Sequence, residues 1–314
     1  MITTHNRITW LKRAVESALT QTYPCQVVVV DDASQDGTEA YLTQLGNAII
    51  TVRNRYNLGH SRSINAGVSV ARGEWIKFLD DDDYLAPECV EKMAAAVAKF
   101  PQAAIASCQA IYVNEHNVPR RRTLPLGLQN VVFIPQANIH YGMLLERLAF
   151  GTPVQVAVNR HAFLQSGGWD SAFDGNYDDT EFWMRITQYG DAVLLNQPLV
   201  YRTIWSGNCS GNLPLQERLE MNILIKKKLY QLVPQQDDLR LPPLDVIIAF
   251  LKLHWGLVSL KNKKIAMGLR LISSSVRCPS SLIYWAKLMY FNRARAVAAI
   301  VKLTVNSHLP SVVE

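Results

Sequence analysis

In the first hundred residues, apolar runs of strand length alternate with runs of helical period, and the connections between them are short. Residues 27–30 are four consecutive valines, the composition of a strand buried on both faces. Before them, residues 7–21 carry Ile8, Leu11, Val15, Ala18 and Leu19 near the helical spacing, with Asn6 placed to cap the helix. A second helix follows Ser34, Gln35, Asp36 and Gly37. Residues 48–52 read as a strand, 61–71 as a helix ending toward Gly73, 75–79 as a strand, and 87–99 as a helix with Pro87 in its first turn. This alternation predicts a parallel sheet covered on both faces. Met1, Ile2, Thr3 and Thr4 read as the last residues of a first strand.

Beyond residue 100 the pattern is less regular. Residues 103–113, 154–158, 192–195 and 199–202 read as strands, Arg120, Arg121 and Arg122 as a basic loop, and 181–189 as a short helix with Phe182, Ile186 and Tyr189 facing inward. From Leu215 the text turns helical, over about 215–232, 244–260, 263–275 and 280–304. The expected organisation is therefore an α/β domain over 1–213 and a helical region over 214–314. Charge divides the same way. From Leu215 onward there are 15 Lys and Arg against 6 Asp and Glu, whereas the remainder has 17 against 20. With 314 residues, 49% of them hydrophobic, one large domain with an appendage can bury its core.

Five cysteines at long spacings, without a CxxC, argue against a disulfide framework or a zinc site and fit a reducing cytosol. No leader segment is read at the start. The uncharged stretch 123–145 is too polar and too broken by Pro125 and Pro135 to span a bilayer.

In open α/β sheets, ligands bind beyond the carboxyl ends of the strands. Three polar clusters are expected there: Thr3 to Arg7, Asp31 to Thr38, and the four aspartates Asp80, Asp81, Asp82 and Asp83. The first two also read as caps and turns. The aspartates leave an apolar strand directly, and unit like charges about 4 Å apart repel by roughly 4 kcal/mol at an effective dielectric of 20. Either they splay into solvent or a hard divalent cation relieves them. No cationic cluster is expected near them. Farther on, Gly167, Gly168, Trp169 and Asp170 precede Asp178, Asp179, Thr180 and Glu181. Asp178 or Asp179 either caps the following helix or serves as a general base.

Taken together these stretches resemble the family 2 glycosyltransferases, inverting enzymes of the GT-A fold. The resemblance covers about residues 1–210 and rests on motifs in the family's order. They are Thr3-Thr4-His5-Asn6-Arg7, Gln21-Thr22-Tyr23, VVDDxSxDGT over 29–38, NxGxSxxxNxG over 57–67, ARGEWIxFLDxDD over 71–83, GGWD over 167–170 and DDxEFWxR over 178–185. The resemblance implies a Rossmann-like mixed sheet and a nucleoside-diphosphate donor, with UDP as the first choice. It implies Thr3 and Asp32 on the nucleobase and ribose, with Asp31 and Arg62 as lesser candidates. Asp80 and Asp82 match the outer positions of the DxD motif. Asp82 is expected on Mn²⁺ or Mg²⁺, and Asp80 near the donor as well as the metal. Asp179 matches the base, and Trp169 and Asp170 the acceptor side.

The chain departs from the family pattern in three places. His5 stands where Tyr is usual, Ile64 where Arg is usual, and Thr203, Ile204 and Trp205 follow Tyr201-Arg202 where many members have a His. A non-catalytic descendant that binds nucleotide-sugar or glycan is the alternative. A nucleotidyltransferase is disfavoured, because Thr3 to Arg7 is no Gly-rich phosphate loop. No nucleic-acid module is present. The basic region, with Lys226, Lys227 and Lys228, is expected to pack on the core, form a homodimer contact or sit on anionic lipid. The expected acceptor is a glycan or a lipid-linked glycan, and the expected place is the cytoplasm, at the inner face of the membrane.

Overall fold

The computed structural model describes residues 1–175, 177–205, 207, 214–234, 241–276 and 280. The elements run β1 (Ile2–Thr4), α1 (Ile8–Leu19), β2 (Val28–Asp31), α2 (Thr38–Leu45), β3 (Ile50–Arg53), α3 (His60–Val70), β4 (Trp75–Lys77), β5 (Leu79–Asp80), β6 (Tyr84–Leu85) and α4 (Cys89–Val97). Then come β7 (Ala103–Asn114), β8 (Pro119–Arg122), β9 (Val131–Ile134), α5 (Gln136–Leu144), β10 (Val156–Asn159), α6 (Arg160–Gln165), α7 (Asp178–Ile186) and β11 (Asp191–Ile204). The helices α8 (Leu215–Leu232), α9 (Leu244–Lys261) and α10 (Ile265–Val276) follow. The chain forms two compact units, Met1–Gln136 with Ala149–Cys209, and Ala137–Leu148 with Ser210–Glu314.

In the first unit, β3, β2, β1 and β5 form a parallel sheet in that order. The valine run fills its centre and is buried throughout, as a two-faced strand requires. Register aligns the carboxyl ends: Thr4 lies opposite Asp31, and Thr3 opposite Asp80. The second sheet is mixed, in the order β4, β10, β7, β11, β6, with β8 on β7 and β9 on β11. Helices α1 and α4 bury Leu11, Val15, Cys89 and Met93 in a core shared with Ile2, Val29, Leu79, Ala106 and Val193.

Several expectations are corrected. Asn6 does not cap α1: it has φ 54°, and the cap position is Arg7, without a side-chain bond. The basic loop is an edge strand, β8, paired with β7. Residues 192–195 and 199–202 belong to one strand whose register shifts around Pro198, which has no N–H to give the ladder. Tyr189 is exposed. The expected helix 280–304 lies almost wholly outside the described residues.

In the second unit, Leu215, Leu219, Leu251, Trp255 and Leu271 join α8, α9 and α10. Gly256 and Gly268 let α9 and α10 approach closely. A Cβ on Gly268 would stand 3.1 Å from the Gly256 carbonyl, and one on Gly256 2.7 Å from the Ile272 side chain. Lys226, expected on a basic surface, is buried instead. Its Nζ donates to the Met143 and Leu144 carbonyls at 3.1 and 2.7 Å and pairs with Glu146 at 3.3 Å. It closes the free carbonyl end of α5. Among the described residues no helix is long and apolar enough to cross a membrane.

Candidate active site

The aspartate run forms the turn between β5 and β6, at the carboxyl edge of the parallel sheet. Its four side chains do different things. Asp81 is buried and accepts from Thr4 Oγ1 at 2.8 Å and Arg7 Nη1 at 3.1 Å. Burial still pushes it up to about 6, against the Arg7 charge. Asp83 is buried and accepts the Thr203 backbone N–H at 2.7 Å, and burial lifts it well above the usual carboxylate range. These two carboxylates face protein.

Asp80 and Asp82 alternate with them. Asp80 is the most exposed of the four aspartates, its side chain 29% accessible. Burial alone would raise its pKa, but the His60 hydrogen bond and charge hold it below the ordinary value. Asp82 Oδ2 accepts from Trp205 Nε1 at 2.8 Å and lies 3.7 Å from Arg7 Nη1. Burial and then the Asp80 charge raise it.

The expectation that no cations stand near the run is overturned. Arg7 faces Asp81 and Asp82. Arg13 donates to the Asp82 carbonyl at 2.5 Å and to Thr203 Oγ1 at 2.7 Å. The Arg202 charge acts on Asp80, Asp83 and Asp179 alike. Aromatic faces hold these guanidiniums: Arg7 lies over Trp205 at 5.3 Å, and Arg13 over Trp10 and Tyr84 at 4.9 and 4.4 Å. Folding brings these residues together from both ends of the first unit, which linear spacing does not reveal.

At β2, Asp31 Oδ1 accepts the Ser34 N–H at 2.9 Å, and Asp31 Oδ2 lies 3.6 Å from Arg53 Nε. Asp32 accepts from Asn54 Nδ2 at 2.7 Å and from the Leu58 and Gly59 backbone at 2.8 and 2.9 Å. It thereby shapes the loop that delivers α3. Thr3 is buried in β1, and Arg62 is exposed on α3.

Helix α7 starts at Asp178 after Tyr177, which has φ 63° and makes no side-chain cap. Neither aspartate caps the helix from outside, because both lie in its first turn. Asp178 Oδ2 accepts from His60 Nδ1 at 3.0 Å, and Asp80 Oδ1 from His60 Nε2 at 3.3 Å. Among the described residues Asp179 Oδ1 accepts only locally, from Thr180 N at 2.5 Å and Thr180 Oγ1 at 3.1 Å. Burial, then the Asp178 charge, raises Asp179 to about 6. Glu181 is buried against Arg185, at 2.8 Å.

Beneath α7 lies an aromatic block of Phe78, Phe163, Trp169, Phe182 and Trp183. Trp169, expected to line the acceptor side, is 3% exposed in this block and stands under the His60 ring, 5.2 Å away and edge-on. The Asp170 side chain accepts the Ala172 N–H at 2.9 Å and starts a short helical turn. His60, Arg202 and Trp205 stand at the site although the sequence reading gave them no individual role, and Arg7, read only as the end of the first polar cluster, faces the aspartates.

Residues 1–164 match the family model described as glycosyl transferase family 2. An uncharacterized glycosyltransferase of Haemophilus influenzae is 28% identical over 211 residues, 65% of this chain and 67% of that protein. The chondroitin synthase of Pasteurella multocida is 32% identical over 221 residues, 69% of this chain but 22% of that protein. Among solved structures, S. aureus TarS 1–349 in complex with UDP-GlcNAc superposes with a TM-score of 0.63 at 16% identity, covering 96% of this chain and 90% of that one. The likeness is one of fold, a mixed α/β sheet with a helical C-terminal region. By the match over residues 1–164, more than half of its length, this chain belongs to glycosyl transferase family 2.

Proposed function

We propose that the protein moves a sugar from a nucleoside-diphosphate donor, a UDP-sugar, to a glycan hydroxyl in one inverting displacement, with a divalent cation at Asp80 and Asp82 and Asp179 as general base. The observation that carries this reading is the single charge neighbourhood formed by the aspartate run and the start of α7. Arg202 acts on Asp80 and Asp179 together, and His60 touches both Asp80 and Asp178.

Among the described residues no three His, Cys, Asp or Glu side chains converge into a metal cage. The donor set fits a different arrangement. Asp81 and Asp83 are turned to backbone and hydroxyl donors and Arg7, whereas Asp80 and Asp82, at alternate positions, meet the His60 and Trp205 side chains, and magnesium or manganese is commonly held by one or two carboxylates plus substrate phosphates. A cation there would act as a Lewis acid toward the leaving diphosphate. Arg7 and Arg202 add fixed positive charge on the same side. Asp179 takes the proton of the acceptor hydroxyl as that oxygen attacks the anomeric carbon from the face opposite the diphosphate. Asp32 and Thr3 mark the nucleoside side of the sheet edge, and Asp170 the acceptor side. TarS was solved with UDP-GlcNAc and the Pasteurella relative is named a chondroitin synthase, which supports a UDP-sugar and a glycan product here.

A donor screen tests this reading. Nucleoside diphosphate release from UDP-GlcNAc and UDP-Glc should need Mn²⁺ or Mg²⁺, and full turnover in EDTA would contradict it. The second unit, we further propose, meets anionic membrane at the turn between α9 and α10. Lys261, Lys263 and Lys264 are exposed there beside Ile265 and Leu269, which are 62% and 58% exposed.

A further inference from the structure

We infer that His60 is a positioning residue that ties the base-bearing turn of α7 to the donor side of the site. The inference rests on the reading of Asp179 as the base. Asp80 closes β5 and Asp178 opens α7, and one imidazole stands between them, with its two nitrogens 3.3 and 3.0 Å from their oxygens. One ring thus spans the two carboxylates, with a different nitrogen facing each.

The ring is held from several directions. Its edge rests on Trp169, whose backbone N–H and carbonyl are both bonded to the Asn65 amide at 2.9 Å. Its backbone follows Gly59, which has φ 88° and gives its N–H to Asp32. A Cβ on Gly59 would stand 2.6 Å from Asp174 Oδ2, so that turn has little room to shift. Ser61, the next residue, donates its backbone N–H to Asp174 at 3.1 Å and its hydroxyl to the same oxygen. The ring is therefore a short strut with a fixed root.

Among the described residues Asp179 has no comparable anchor, since its carboxylate bonds there only within its own helix turn. Its position follows from that of Asp178, one residue earlier, and Asp178 is held by His60. A base must lie within hydrogen-bond reach of the proton it takes. A misplacement of about 1 Å can cost roughly 10²-fold in rate.

The test uses the full chain with His60→Gln, Asp178→Ala, the double variant and Asp179→Asn. UDP release from UDP-GlcNAc or UDP-Glc, whichever turns over, gives kcat, and calorimetry gives affinity for UDP with Mg²⁺. For His60→Gln, kcat should fall about ten- to a hundredfold, while UDP affinity stays within about threefold. Asp178→Ala should behave alike. The double variant should fall no further than the worse single, because both break one strut. Losses that multiply, a UDP affinity that falls as far as kcat, or a His60→Gln kcat within about twofold of wild type would each overturn the inference. If His60→Gln fails to fold, Asp178→Ala carries the same kcat-only expectation. Normal turnover in Asp179→Asn would defeat the base reading and this inference with it. An inactive Asp179→Asn beside a normal His60→Gln would defeat this inference alone.

Discussion

Asp179 is partly buried next to another carboxylate, and that placement gives its chemistry a pH signature. With its pKa raised from 3.8 to about 6 by burial and by Asp178, it is a ready base at neutral pH and a protonated acid below it. The pH profile of kcat/KM should lose activity with unit slope as pH drops through about 6. An acid limb near the ordinary carboxylate value of about 4 would place the base elsewhere. Stability carries the opposite sign. A carboxyl whose folded pKa exceeds its unfolded value destabilises the fold while ionised. That penalty is full above about 6, fades as pH falls from there toward the unfolded value of 3.8, and is gone below it. Thermal melts should therefore find Asp179→Asn more stable than wild type at pH 8, with the gain shrinking toward pH 4. The sequence carried Asp179 legibly, in a motif ahead of an amphipathic helix. His60 was not legible. A lone histidine at a helix start looks like any solvated residue until folding delivers Asp178 from 118 positions away.

Elements were legible where burial shapes composition. The valine strand, α1, α3 and α4 follow from apolar period alone, because each buries one stripe or both faces. Where hydrogen bonding or tertiary burial decides, the signal fails. Strand β8 is exposed along its whole length, so Pro119 to Arg122 show no alternation, and backbone pairing to β7 makes it a strand. Helix α5 is buried over Ile139 to Leu144 on all sides, so its polar Gln136, Asn138 and His140 mask any stripe. Its carbonyl end is completed by Lys226 from α8. Lys226→Met should cost about 1–3 kcal/mol in denaturant unfolding by leaving the Leu144 carbonyl unpaired and the Met143 carbonyl with only the Glu146 N–H. Lys227→Met, on the exposed face of the same helix, should change stability by about 0.5 kcal/mol or less. Equal effects of the two would return Lys226 to the surface.

For the molecule as a whole, charge and chemistry separate between the units, with the aspartates in the first and the basic excess in the second. If the α9–α10 turn meets membrane, the protein should cosediment with vesicles of anionic lipid at low salt and release at high salt. Lys261→Gln with Lys263→Gln and Lys264→Gln should abolish this, whereas Lys227→Gln with Lys228→Gln should weaken it less. Cosedimentation unchanged by the triple variant would move the contact elsewhere. The central claim is that the fold brings one proton acceptor to one sugar–diphosphate bond, and one variant addresses it most directly. In Asp179→Asn, UDP release from the preferred UDP-sugar should fall by about 10²–10⁴, with UDP affinity in Mg²⁺ unchanged. Turnover close to wild type in that variant would contradict the account.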